Sequence, residues 1–282
     1  MIAVLGGLGA AVLWALSNLS SSRSTRMIGA TSVLSWVMVV SLVLNLGAIA
    51  ITRTPIQLDA STAWWMAAAG FGNAFGLLLL MAALSMGKVG LVTSIASTEG
   101  AIAAVYSVLA GEVLPAIAYV LLAGVVAGVI LVTSASDHDP VPGNRKTRAA
   151  GLALCSALLS GTSIYATGHI SDSVALVWVL LPPRLVGVVV LAVPLAVIGK
   201  LRLTRQAIPY VVATGVAELA GWCSYAFGAR DSIAIAAVLS SLFAAVATVG
   251  AYFLFHERLT RHQIVGIAVI TVGVATLTAT LA

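Results

Sequence analysis

Charge is what this sequence most lacks. Only 8% of its 282 residues are Asp, Glu, Lys or Arg, against roughly a quarter in a soluble globular domain. With 61% hydrophobic residues and a mean hydropathy of +1.11, the chain cannot cover a folded surface with polar groups, which excludes the soluble classes. Cysteine is equally scarce. Cys155 and Cys223 both fall inside apolar runs and form no C-x-x-C pair, so neither a disulfide framework nor a metal site is indicated. His256 and His262 flank "HERLTRH", which is not H-E-x-x-H because position 260 is Thr, and no zinc or other cofactor is expected. Phosphate-binding loops and catalytic triads are also missing, so the chain does not read as an enzyme or as a pump driven by its own ATP hydrolysis. The net charge of +5 lies in short loops beside apolar runs, where Lys and Arg meet lipid headgroups; it does not point to nucleic acid.

What is there is apolar sequence in lengths that suit a bilayer. Crossing about 30 Å of hydrocarbon takes about 20 residues, and ten such runs follow one another: 2–21, 28–51, 63–84, 89–110, 115–135, 149–170, 174–198, 207–228, 232–255 and 262–281. The first has no basic n-region and no small-residue cleavage site, and it carries Trp14 and Asn18, so it reads as a helix and not as a signal peptide. Only "SASDHDPVPGNRKTR" is polar enough to be a boundary. It divides the chain into a five-helix unit at 1–135, a linker at 136–148 and a second five-helix unit at 149–282. The halves align without a gap at a shift of 145, which sets Gly6 on Gly151, Gly70 on Gly215, Gly76 on Gly221, Gly128 on Gly273, Glu112 on Glu257 and Leu114 on Leu259. Because five is odd, the second half must enter the membrane upside down. The expected fold is an all-α membrane protein of ten transmembrane helices arranged as two inverted five-helix repeats, a build in which the site lies near the midplane between the repeats.

Two hairpins, "AGEVLP" before the fifth helix and "FHERLTRHQ" before the tenth, carry local helix-start chemistry. Thr260 with Gln263 fits a capping box, and Pro115 suits a first helical position. Together with "W-x-x-S-N" (Trp14, Ser17, Asn18) in the first helix and "SSLFAAV" in the ninth, these hairpins make the whole chain resemble the EamA-like branch of the drug/metabolite transporter superfamily. That family often carries a Pro in the fourth helix of each half, where this chain has Glu99 and Ala244. The resemblance implies a central cavity lined by helices one, three, four, six, eight and nine, with helices five and ten at the periphery.

Four polar side chains fall near the centres of their runs: Asn73, Glu99, Arg184 and Glu218. Glu218 is Asn73 shifted by 145, so the repeat puts a polar group at one point in each half and makes one of them ionisable. An ionisable group at the bilayer centre costs about 2.5 to 3.5 kcal/mol, so three of them imply a water-filled interior or mutual pairing. Trp222 and Tyr225 share a helical face with Glu218 and would form an aromatic wall for an organic cation, although packing alone also accounts for mid-helix aromatics. Trp14 and Asn18 face the same interior. Arg184, next to "PPR", reads either as the ion-pair partner of a glutamate or as a gate or anchor for an anionic group. Trp64 and Trp65 suit an aromatic belt, and His169 suits an interface.

The expected function is alternating-access secondary transport of a small polar metabolite, foremost the export of amino acids or related compounds, with protons as a coupling ion that Glu218 and then Glu99 would carry. Sugars, nucleotide-sugars or drugs are the alternative substrates, and a membrane-embedded enzyme or scaffold is the alternative class. The expected partners are the substrate and the lipid bilayer, the expected location a prokaryotic inner membrane, and the expected state a monomer or weak dimer. Eleven Lys and Arg fall in odd-numbered loops and two in even-numbered ones. The positive-inside rule then puts both termini outside, whereas the family resemblance implies both inside.

Overall fold

In a computed structural model of the chain, residues 1–55, 59–86, 92, 95–133, 143–255 and 260–281 are described, and among them there is no strand. The hairpin residues Glu257 and Leu259, His256, Thr93, Ser94 and most of the linker lie outside the described residues.

Helix α1 (Ile2–Ile28) and α2 (Ala30–Thr52) are joined by Gly29 alone, whose φ of 85° suits a residue without a side chain. Arg23 and Arg26, expected in a loop, ride on the last turns of α1: "SSSRSTRMI" contains no Gly or Pro to stop the helix before Gly29. Helix α3 (Ala60–Met86) is capped by Asp59, whose Oδ1 accepts from the Thr62 amide at 2.8 Å; hydrogen bonding from Thr62 holds the Asp59 carboxyl below its ordinary range. Helix α4 (Glu99–Leu109) starts after an interruption at Ser97 and Thr98. Helices α5 (Ala116–Thr133) and α6 (Gly143–Ile170) follow, and α6 begins six residues ahead of the apolar run at 149.

Span α7 (Leu176–Val197) is assembled from the pieces Leu176–Val179, Leu181–Gly187 and Val193–Val197, with a π turn at Val188–Ala192. Pro182 and Pro183 open the second piece, where a missing N–H costs nothing, so the prolines begin a helix more than they break one. Helix α8 (Ile208–Ala229) is continuous. Helix α9 consists of α9a (Ile233–Ser240) and α9b (Phe243–Phe255), divided at Ser241 and Leu242. Helix α10 (Arg261–Leu281) starts from the expected capping box: the Thr260 amide donates to Gln263 Oε1 at 2.8 Å, and the Gln263 amide donates to Thr260 Oγ1 at 3.3 Å. Among the described residues five helices, namely α1, α2, α3, α6 and α7, are long and apolar enough by themselves to cross a bilayer.

The helices pack in defined pairs: α1 on α8 and on α9, α3 on α6 and on α7, α4 on α6 and on α9a, α2 on α7 and on α8, and α5 on α10. Lipid offers no hydrophobic drive for helix association, so close approach and hydrogen bonds across the crossings have to hold them. Ser156 and Ser163 of α6 donate to Gly76 O and Ala69 O of α3 at 2.7 Å each, and Ser224 of α8 donates to Gly6 O of α1 at 2.9 Å. Each such bond contributes about 0.6 kcal/mol on average. Where α4 crosses α9a, a Cβ on Gly100 would meet Ala237 O at 2.4 Å, which leaves room for no larger residue.

One end of the bundle is tied shut. Asp231, between α8 and α9, accepts from the Ala3 amide at 3.0 Å and from the Met1 amine at 3.3 Å. Arg230 donates to Ser171 O, between α6 and α7, at 2.9 Å. Glu112, between α4 and α5, accepts from the hydroxyls of Ser107 and Ser232 and from the Ala234 amide, the last at 3.2 Å, and so caps α9a from outside. At the opposite end α1 meets α8 through an exposed contact, Arg23 to the Tyr210 hydroxyl at 3.4 Å.

Candidate functional site

A cavity of about 230 Å³ lies between these ends, and six of the residues singled out in the sequence line it: Trp14, Asn18, Asn73, Glu99, Glu218 and Trp222. Its lining continues through Ser21, Leu34, Leu80 and Thr214, on the halves of α1, α2, α3 and α8 that run away from the tied end. The cavity therefore faces the end that carries the α1–α2 and α7–α8 connections.

Glu218 comes from the middle of α8. Its Oε1 accepts from Trp222 Nε1 at 3.0 Å, one helical turn on, and its Oε2 accepts weakly from Ser17 Oγ of α1 at 3.5 Å. Trp222 is fixed in turn by Trp14, edge-on at a centroid distance of 5.2 Å, and by Tyr225 at 5.9 Å. Trp14 lies over Gly221, where a Cβ would come within 2.5 Å of the indole, so the glycine on α8 makes the space that the tryptophan on α1 occupies. Glu99 arrives by a different route. The interruption at Ser97 and Thr98 makes it the first residue of α4, where the helix dipole favours a carboxylate. Ser160 of α6 hydrogen-bonds with it, and Glu218 lines the same cavity. Asn73 lines the same space from α3, opposite its repeat-related position 218.

Two predicted site residues are placed elsewhere. Tyr225 is fully buried, and its hydroxyl donates to Ile164 O of α6 at 2.9 Å; it is a strut behind Trp14 and Trp222 and not part of the cavity wall. Arg184 is 2% exposed, and its terminal guanidinium nitrogens have no hydrogen-bond partner, so the ion pair with a glutamate does not form. Its Cζ instead lies 5.4 Å from the Trp222 ring centroid, a cation–π contact worth about 2 kcal/mol or more when desolvated. Trp222 is thus the shared element: it covers the guanidinium with its ring and donates its N–H to the carboxylate.

The sequence reading missed the closure of the tied end. Trp65, expected in an aromatic belt with Trp64, turns inward against Tyr165 at 5.6 Å and His169 at 4.8 Å, and Tyr106 packs on Tyr165 at 6.0 Å. Trp64 remains exposed, as a belt residue should. These rings come from α3, α4 and α6, and the helix ends that carry them lie at the tied end. Helical spacing joins only Tyr165 to His169, one turn apart on α6; it gave no signal for Trp65 and Tyr106, which come from other helices.

Polar groups at mid-depth, an aromatic lining and one closed end make a compartment that can hold a small charged solute and shield it from lipid. Among the described residues no group of three His, Cys, Asp or Glu side chains could hold a metal ion. Residues 1–134 and again 147–279 match the model of the EamA-like transporter family. No curated protein is significantly similar in sequence. A protein of known crystal structure superposes with a TM-score of 0.81 over 98% of this chain and 96% of its own, at 18% identity, a likeness that speaks for the fold alone.

Proposed function

The chain belongs to the EamA-like transporter family, and on that premise, which makes it an integral multi-pass membrane transporter of the drug/metabolite superfamily, we propose that it moves a small polar metabolite by alternating access. The observation that carries this reading is the cavity, which sets two carboxylates from α4 and α8 in one space that is tied off at one end.

Its size favours amino acids or related compounds. At about 230 Å³ it falls below the roughly 300 to 1,000 Å³ of pockets for drug-sized ligands, which weighs against nucleotide-sugars. Glu218, with Glu99 second, exchanges a proton for the ammonium group of the substrate, and Asn18, Asn73 and Trp14 complete the wall. The ten helices form two inverted five-helix repeats, 1–135 and 149–282, joined at 136–148. In support, replacing α1–α5 by α6–α10 and the reverse turns the packed pairs into one another: α1 on α8 becomes α6 on α3, and α4, α2 and α5 keep α9, α7 and α10. The membrane is a prokaryotic inner membrane, and the protein works as a monomer or weak dimer. By the positive-inside rule the cavity faces the cytoplasm, ready to load for export. A reporter fused to the C-terminus reads the sidedness directly, and a cytoplasmic signal would reverse the assignment.

The test is Glu218→Gln in proteoliposomes, with transport measured over a pH series. The substitution keeps the hydrogen bond from Trp222 and removes the titrating group, so transport should slow and lose its pH dependence. A native rate with a native pH profile would sink the coupling role.

A further inference from the structure

Among the described residues Arg184 is the one fully buried cation, and the cavity does not reach it. Its end nitrogens are without hydrogen bonds, and the face of Trp222 covers them. The other pole of that indole is committed: Nε1 donates to Glu218 at 3.0 Å. One side chain therefore lines the cavity, shields a guanidinium and occupies one oxygen of the carboxylate. An ammonium group that enters and takes Oε1 of Glu218 replaces the indole N–H there as hydrogen-bond donor. Once that bond is surrendered, Trp222 is held by packing alone, its ring contacts with Trp14, Tyr225 and Arg184 included.

We propose that Arg184 is a specificity-determining anion anchor held in reserve behind Trp222, and that it receives the carboxylate of an amphoteric solute whose ammonium group has displaced the indole from Glu218. This inference rests on the transport reading and deepens it. A planar fork of N–H donors matches a carboxylate two to two, which an ammonium cannot do, so the identity of residue 184 matters as well as its charge. The selected class is small molecules bearing both an amine and a carboxylate. Plain organic cations satisfy Glu218 and leave Arg184 unused; neutral sugars satisfy neither.

The experiment is counterflow into proteoliposomes with matched triads: leucine, leucinamide and isopentylamine, and the phenylalanine and threonine equivalents. The native protein should exchange the amino acid of at least one triad about tenfold or more faster than its amide and amine, in line with charge-assisted bonds to a buried guanidinium. Arg184→Gln should bring that ratio close to one, and Arg184→Lys should leave it at about threefold, because charge without the fork is retained. Should Arg184→Gln fail to fold, Arg184→Lys and the native ratio decide. A native ratio near one, or a ratio unchanged in either variant, overturns the inference while transport of amines stands. If no member of any triad is exchanged, the transport reading for amino compounds falls, and this inference falls with it.

Discussion

Replacing Gly6 by alanine tests the α1–α8 crossing where backbone meets backbone most closely. A Cβ there would stand 2.4 Å from Gly228 Cα, 2.5 Å from its nitrogen and 2.7 Å from Ser224 O. Carbon atoms in contact settle at about 3.5 to 4.0 Å, and the obstructing atoms are backbone, which has no rotamer to escape into. Helices α1 and α8 must then part by about 1 Å, at the roughly 1 to 3 kcal/mol typical of overpacking. The Ser224 hydroxyl bond to Gly6 O is lost as well, about another 0.6 kcal/mol, and the better helix propensity of alanine returns about 0.5 to 1 kcal/mol. The net loss is about 1 to 3 kcal/mol, and at about 2 to 4 °C per kcal/mol for a chain of this size Tm should fall by roughly 2 to 12 °C. Exchange should slow too, because Ser17 and Glu218, at 3.5 Å, have no slack to absorb the separation. The control is Gly151→Ala. The 145-residue shift makes Gly151 the counterpart of Gly6, yet nothing lies within 4 Å of a Cβ there, so that variant should melt at the native temperature or slightly above. Thermal unfolding in detergent, followed by tryptophan fluorescence and paired with counterflow, gives both readouts. Equal behaviour of the two variants, harmful or harmless, would refute the reasoning.

The cap on α1 has a pH signature. The Ala3 amide, donating to Asp231, holds that carboxyl below the ordinary 3.8, so its contribution is present above that value and is lost as pH falls through the lowered one. Asp231→Asn should cost less than about 1 kcal/mol at neutral pH and flatten the acid limb of Tm against pH; identical acid limbs would exclude the role. Tyr225→Phe removes the bond to Ile164 O and should cost about 0.5 to 1.5 kcal/mol of stability without altering substrate preference. A change in preference with an unmoved Tm would return Tyr225 to the cavity wall.

The helices were legible because a bilayer imposes length and apolarity on each of them, and Glu218 was legible because a carboxylate inside such a run has to be answered by something. Asn73 and Glu99 could be named from mid-depth, Trp222 from the helical face it shares with Glu218, and Trp14 and Asn18 from the W-x-x-S-N motif of the first helix; six of the eight candidates do meet in the cavity. Tyr225 shows the limit of the helical wheel. It shares a face with Glu218 but stands seven residues on, about 10 Å further along the axis, at a level where the bundle has already closed. Arg184 shows a different limit: its partner is the face of a ring 38 positions away in the chain, a contact that leaves no pattern in spacing. The end of α1 was misplaced because polar serines read as a loop, while only Gly29 carries the geometry that ends the helix.

The interruptions in α4 and α9 decide how a disturbance travels. At both, the backbone tightens to i→i−3 bonds, Thr98 to Ile95 O at 3.1 Å and Leu242 to Leu239 O at 3.2 Å. An unbroken helix carries a tilt applied at one end through to the other; a helix jointed at mid-length takes up the tilt at its joint. The α4–α9a crossing at Gly100 can then keep its register while α9b, which leans on α1 where Leu19 lies 2.8 Å from the Cβ position of Gly250, swings with its own neighbours. Compliance gathers at Ser97 and Thr98 beside Glu99, at Ser241 and Leu242, and in the divided span α7, while unbroken helices such as α8 are free to be stiff.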